Sequence, residues 1–285
     1  MSYTTLNPVK VRSTAKGVRP LCAWMAAAAL FVPTLVAAQV AIFDPEEGIN
    51  ILSMGVGKAP DYIGSNHSKA AVAPLARYYF SGPRYVQLLG PQLSVNVIND
   101  NTWQFGPQVL YRLKRGSDVH DPVVSKMNEI KGTPELGVFG GASWQLSADP
   151  QNRFGVRADV EGGKHGVEGT VTANYFLPVS RAIVLNAGGG LGLSSDKWAK
   201  TYFGVNGTDV ALYPSLAGAP YVPKGGVSDL RANFGAIVHF SPTWHAGLGA
   251  RYQRLQGDSA DSPIVAQRGN RNQWIYGLAV AYIWQ

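Results

Sequence analysis

A two-residue alternation, sustained for ten or more residues at a time, is the feature that most limits how this chain can fold. Trp103, Phe105, Val109, Tyr111 and Leu113 interleave with Gln104, Gly106, Gln108 and Arg112. Val156, Ala158 and Val160 interleave with Arg153, Gly155, Arg157, Asp159 and Glu161. Leu230, Ala232, Phe234, Ala236, Val238 and Phe240 alternate with Asp229, Arg231, Asn233, Gly235 and His239, and bulky Trp274 to Trp284 alternate with Gly277, Ala279 and Ala281. Successive side chains of a strand point to opposite faces, so each segment has one apolar and one polar or small face. Strands of soluble sandwiches average about five or six residues, and several of these segments are about twice that. Charged residues also stand in mid-strand, where a packed apolar core would reject them and a wet lumen accepts them as paired rows.

These features predict an all-β, closed, antiparallel up-and-down transmembrane barrel. Strands are expected at 48–57, 70–80, 84–98 (one strand or two), 102–114, 133–147, 153–162, 167–177, 181–193, 198–205, 227–240, 244–254 and 273–284. An even count is expected, 12 with 10 as the alternative. Aromatic residues near strand ends, at Tyr78-Tyr79-Phe80, Trp144, Tyr175-Phe176 and Trp244, fit the interfacial girdles of such a barrel. Tight connections are read at Asp149–Asn152, Leu177–Ser180 and Ser241–Thr243, and long polar ones at 57–69, 115–131, 194–226 and 255–272. Short turns on one rim and long loops on the other place the long loops outside the cell.

The N-terminal stretch reads as a cleaved secretory leader, residues 1–38, ahead of a single barrel domain, 39–285. Lys10, Arg12, Lys16 and Arg19 precede an apolar run from Leu21 to Leu35, and Val36-Ala37-Ala38 supplies small residues for cleavage before Gln39. The four basic residues of the leader account for four of the chain's seven net positive charges, leaving +3. The high pI therefore gives no support to nucleic-acid binding. Cys22, the chain's one cysteine, leaves with the leader, which excludes disulfides, zinc-thiolate sites and cysteine nucleophiles from the mature domain. An outer-membrane location in a Gram-negative cell follows, with lipid as the barrel's immediate partner.

Three constellations invite a chemical reading. Gly188-Gly189-Gly190-Leu191-Gly192 lacks the G-x-G-x-x-G spacing and lies in a strand-like run, so small residues on a curved wall explain it better than a phosphate cradle. His239 and His245 flank the Ser241-Pro242-Thr243 turn on the polar face, but no G-x-S-x-G accompanies them, and no enzyme activity, metal or cofactor is expected. Arg153, Arg157, Asp159, Glu161, Glu168, Asp229, Arg231 and Arg251 are expected to project into the lumen from neighbouring strands. They form either a salt-bridge lattice that fills the barrel or the lining of a charge-selective pore, with the lattice favoured for 12 strands.

Several segments resemble the MipA/OmpV family of outer-membrane proteins. They are Pro60-Asp61-Tyr62-Ile63-Gly64-Ser65, Thr201-Tyr202-Phe203-Gly204-Val205, Gly137-Val138-Phe139, and above all Tyr252 to Val265 followed by Asn272-Gln273. In the last, Arg254, Gly257, Asp258, Asp261, Ser262 and Pro263 carry the match. One departure is that the chain ends Tyr282-Ile283-Trp284-Gln285, with the aromatic residue penultimate rather than last. The resemblance implies a scaffold that docks a lytic transglycosylase and a penicillin-binding protein for murein synthesis. It supplies no catalytic residues. A porin-like channel for small solutes or antibiotics is the alternative that it leaves open.

Overall fold

The structure is a computed structural model that describes residues 48–216 and 218–285. The expected leader, 1–38, and the start of the mature domain lie outside the described residues. Twelve antiparallel strands form one closed barrel in simple sequential order. They are β1 (Asn50–Pro60), β2 (Ser68–Ser81), β3 (Arg84–Leu89), β4 (Gln92–Asn96), β5 (Trp103–Arg112), β6 (Thr133–Gln145), β7 (Arg153–Gly163), β8 (Gly166–Ser180), β9 (Ile183–Ser194), β10 (Gly226–His239), β11 (Trp244–Leu255) and β12 (Asn272–Trp284). Closure comes from β1, which pairs with β2 on one side (Gly55↔Ala73) and with β12 on the other (Gly55↔Ala279). Closing the sheet gives every strand two neighbours and removes its free edges, apart from residues 68–73 of β2, which pair with β1 alone.

The alternation read from the sequence becomes outside and inside. Leu52, Met54 and Val56 of β1, Phe105 and Val109 of β5, and Leu278 and Val280 of β12 are exposed on the outer wall. Their neighbours Ile51, Ser53, Gln108, Ala279 and Ala281 are buried within. Aromatic side chains gather at two levels. On the rim that carries both strand termini, Trp103 meets Trp144, Trp144 stacks on Phe154, and Tyr282 lies between Trp244 and Trp284. At the other level Tyr252 packs on Trp274, and Tyr276 and Tyr111 are exposed on the outer wall. Trp274 and Trp284 stand ten residues apart on β12, about 33 Å of strand, which at a tilt of about 40° spans about 25 Å along the membrane normal. That is the height of the apolar band of an outer-membrane barrel. Phe176 differs from the girdle expected of it, because its ring turns inward and is buried beneath Arg153.

The count of 12 holds through two compensating differences. The stretch 84–98 splits into β3 and β4, joined at Gly90-Pro91, and so adds a strand. The stretch 198–205, expected as a strand, is instead helix α1 (Asp196–Phe203) followed by coil. Its apolar residues Trp198, Ala199, Tyr202 and Phe203 fall one turn apart and form a buried helical face, and Ser195 caps it by accepting the Trp198 N–H. Leu177–Ser180 is also not a turn, since β8 runs to Ser180 through a bulge and the reversal falls at Arg181-Ala182.

All the long connections leave the same rim, opposite the two strand termini. These are 61–67, 113–132, 195–225 and 256–271. They carry α1, α2 (Gly207–Leu212), α3 (Gly257–Asp261) and α4 (Pro263–Ala266), and they pack together.

Candidate functional site: a lidded lumen

The four long loops build a lid with its own apolar core. Tyr62 comes from the first loop, Val119, Val124 and Met127 from the second, Val205 and Leu216 from the third, and Ile264 from the fourth; together they make one buried cluster. Ile130, Trp198, Tyr202, Phe203, Ala260 and Val265 make a second cluster with Leu255 at the top of β11. Phe203, Leu216 and Ile264 are 0% exposed, and burying a side chain of that size contributes about 2–3 kcal/mol. Polar bonds tie the loops to one another. The Ser262 hydroxyl donates to the Phe203 carbonyl at 2.6 Å, Arg268 pairs with Asp121 at 2.8 Å, and the Gly64 N–H donates to the Gln273 amide oxygen at 3.2 Å.

The motif residues 254–263 take places in this lid. Gly257 has φ +50°, a left-handed conformation open to glycine at little cost, and it starts α3. The Asp258 carboxylate accepts the Lys224 N–H, and the Asp258 carbonyl accepts the Tyr221 hydroxyl, both at 2.8 Å. Pro263 opens α4, where its missing N–H costs nothing. Asp261 reaches Arg271 at 3.8 Å on the surface, and Arg254 is exposed at the end of β11. The segments Pro60–Ser65 and Thr201–Val205 meet the same core through Tyr62, Ile63, Tyr202, Phe203 and Val205. Residues far apart in sequence but alike in carrying the family resemblance thus converge on one structure.

Burial and the charge of Asp121 push the Tyr62 phenol up to about 12. Its neutral form is therefore favoured by the fold, and the stability it contributes is complete below pH 10 and lost as pH rises from about 10 to 12. Absorbance titration at 295 nm should show the same number of tyrosines ionising near pH 10 in a Tyr62→Phe variant as in the wild type. Ionisation of Tyr62 near pH 10 in the folded protein would contradict its burial.

Beneath the lid the lumen carries the charge lattice. Glu168 on β8 is its hub, reached by Arg112 of β5 at 2.8 Å and by Arg231 of β10 at 3.3 Å. Arg112 also donates to the buried Glu135 of β6 at 2.7 Å, and Arg231 is held by Asp229 two residues before it. On the adjacent strand β7 Arg157 grips Asp159 at 2.8 Å and lies over the Phe139 ring at 3.8 Å. Glu161 accepts from Gln108 at 2.8 Å and from Gln92 at 3.2 Å. Six of the eight residues expected in the lumen share these bonds. Arg251 bonds Asn233 instead, and Arg153 lies low in the barrel against Phe176; neither takes part in the lattice bonds above. Arg112, Glu135, Gln92 and Gln108 were missed, although Arg112 and Gln108 occupy the same alternating polar face as those expected.

The glycine run on β9 serves the lattice. A Cβ on Gly192 would come within 2.3 Å of the Asp229 carboxylate, which Arg231 already fixes. A Gly192→Val exchange is expected to dislodge Asp229 and lower the midpoint of urea unfolding, by about 1–3 kcal/mol in stability; an unchanged midpoint would show that the carboxylate is not held there.

His239 and His245 do come together. They face each other across the β10–β11 register at the rim of the strand termini, their Nδ1 atoms in contact. Among the described residues no group of three metal-ligating side chains exists.

The lumen is divided into two stacked cavities of about 160 Å³ each, an upper one roofed by Tyr62, Ile63, Arg115 and Tyr202 of the lid, and a lower one. Thr170, Arg231 and Arg251 border both. Fold and site together define an outer-membrane β-barrel whose outer mouth is covered by folded loops and whose interior is crossed by ion pairs.

The chain belongs to the MipA family: residues 52–284 match the model of the MltA-interacting protein MipA. No curated protein sequence gives a significant match. Among solved structures the barrel is similar to the NanC porin, with a TM-score of 0.47 at 12% identity over 81% of this chain and 98% of that one. It is also similar to an outer membrane channel from Pseudomonas putida F1, with a TM-score of 0.45 at 12% identity over 87% and 100% of the two chains. OmpT of Vibrio cholerae gives a TM-score of 0.36 at 9% identity over 83% and 96%.

Proposed function

We propose that this barrel works by docking rather than by conducting or catalysing, holding murein-remodelling enzymes at the inner face of the outer membrane. The observation that carries this reading is the lid: all four long loops are spent on a single apolar-cored structure over the outer mouth. A channel needs that mouth open. A docking platform needs only an anchored wall and a rim facing its partners. Membership of a family described as MltA-interacting supports a lytic transglycosylase as the partner, and the penicillin-binding protein is what the family resemblance adds. The periplasmic rim offers the short polar connections 97–102 and 146–152, whose Asn99, Asp100, Ser147 and Asp149 are exposed.

Photo-crosslinking amino acids placed at Asp100 and Ser147 test the proposal in living cells, with Lys200 on the lid as the control position. The expected result is capture of a lytic transglycosylase from the two rim positions and not from Lys200. Recovery of no murein enzyme from either rim position would overturn the reading.

A further inference from the structure

Two arginines that border the upper cavity make no ion pair among the described residues. Arg115, just beyond β5, is 8% exposed; one of its terminal nitrogens donates to the Tyr202 carbonyl at 2.7 Å, and its Nε has no partner. Arg251 on β11 is also 8% exposed and donates to the Asn233 side chain at 3.2 Å. Among the described residues neither has a carboxylate within ion-pair distance, whereas Arg112 and Arg231 beside them are taken up by Glu135, Glu168 and Asp229. A buried guanidinium without a partner is costly, and proteins keep such groups where a ligand completes them. Burial drives the Arg115 guanidinium down to about 10, still protonated at neutral pH, so its charge remains to be met.

The cavity wall pairs an apolar strip, Pro60, Ile63, Leu110, Leu113 and Ile275, with charged side chains in which six basic residues outnumber the acidic Asp61, Glu161 and Glu168. It also adjoins an interruption in the barrel wall. The β3–β4 hairpin stops at Gly90-Pro91, where Gly90 bonds Pro74 of β2 and Pro91 bonds Tyr111 of β5. Above that tip, residues 68–73 of β2 pair with β1 on one side and with no described strand on the other. Lys69 and Lys114 stand on the two sides of this notch and both line the cavity. The notch lies at the upper aromatic level, since Ala70 is in register with Lys58 and Lys58 with Tyr276. That is the depth at which lipid head groups meet acyl chains.

We infer that the upper cavity binds an anionic amphiphile, its carboxylate or phosphate on Arg115 and Arg251 and its apolar body against Leu110, Leu113 and Ile275, admitted from the outer leaflet through the notch between β2 and β5. The proposal is independent of the docking role at the opposite rim. Unpaired buried charge also weakens the unliganded protein, so neutralising either arginine should leave stability unchanged or raised while removing affinity.

Binding of a dansyl-labelled undecanoate probe to the refolded full barrel in detergent tests this, with laurate, dodecanol and inorganic phosphate as competitors. Laurate is expected to displace the probe, while dodecanol and phosphate do so at least about tenfold less well. Arg115→Gln and Arg251→Gln should each weaken binding about tenfold or more, with melting temperatures at or above wild type. Leu113→Trp, which fills the cavity and leaves both charges, should abolish binding in a barrel that still shifts on heating in gel electrophoresis. Displacement by phosphate as effective as by laurate would make this a free-anion site and overturn the amphiphile. Equal displacement by dodecanol, or full affinity in both arginine variants, would overturn the site itself.

Discussion

Replacing Arg112 with methionine should cost the folded barrel about 3–5 kcal/mol, the largest effect expected of any single lumen exchange. Arg112 joins Glu135 and Glu168, and the Glu135 side chain is 0% exposed. Without the guanidinium, Glu135 loses its only described ion pair, and Glu168 is left to Arg231 alone. Breaking one side of a buried pair leaves a bare charge, whereas removing both sides leaves only a volume to fill. The double variant Arg112→Met with Glu135→Leu should therefore recover most of the loss. Urea unfolding of the refolded protein, followed by tryptophan fluorescence, measures both. A single-variant cost below about 1 kcal/mol would mean that the lattice is a surface-like pairing in water.

Charging the lid core should separate the stability of the lid from that of the barrel. Phe203 and Ile264 are each 0% exposed and sit in the two clusters that hold the loops together. Aspartate at both positions forfeits about 3–5 kcal/mol of packing at each and buries a charge without a partner. The loops have no long regular elements to fall back on, so they should open as a unit while the strand ladder persists. Limited proteolysis is expected to cut the variant within 113–132 and 195–225 and to leave a heat-modifiable barrel. Retained protease resistance would contradict the lid as a packed structure. Loss of the whole barrel would show that lid and wall fold as one cooperative unit.

The wall was legible in the sequence because one physical rule governs it. Every strand residue faces lipid or lumen, so Leu52, Val109, Val160 and Leu278 had to alternate with Ser53, Gln108, Asp159 and Ala279. The lumen charges were legible for the same reason, and Arg112, Glu135, Gln92 and Gln108 lie on the face that the pattern marks as internal. What the pattern could not show is which of them pair, because partners such as Glu168 and Arg231 lie 63 positions apart and meet only across the intervening strand β9.

The lid was not legible. Its loops mix polar residues with apolar ones whose purpose depends on each other. Val119, Leu216 and Ile264 have no periodicity in common, and each would be an exposed apolar residue in isolation. The error at 198–205 arose there too. Trp198, Ala199, Tyr202 and Phe203 carry a helical spacing, but aromatic residues between strand-like runs read as another strand. The family motifs fall in the lid, where Ser262, Ile264 and Tyr62 hold loops to one another.

The account rests on an outer mouth that is shut in the native protein, and planar-bilayer recording of the refolded wild-type barrel tests it most directly. Inserted wild-type protein is expected to give no steady current across the usual voltage range, with current steps appearing only in the Phe203→Asp, Ile264→Asp variant. Stable ohmic conductance from the wild type, unchanged in that variant, would contradict a lidded barrel and return the protein to the channels.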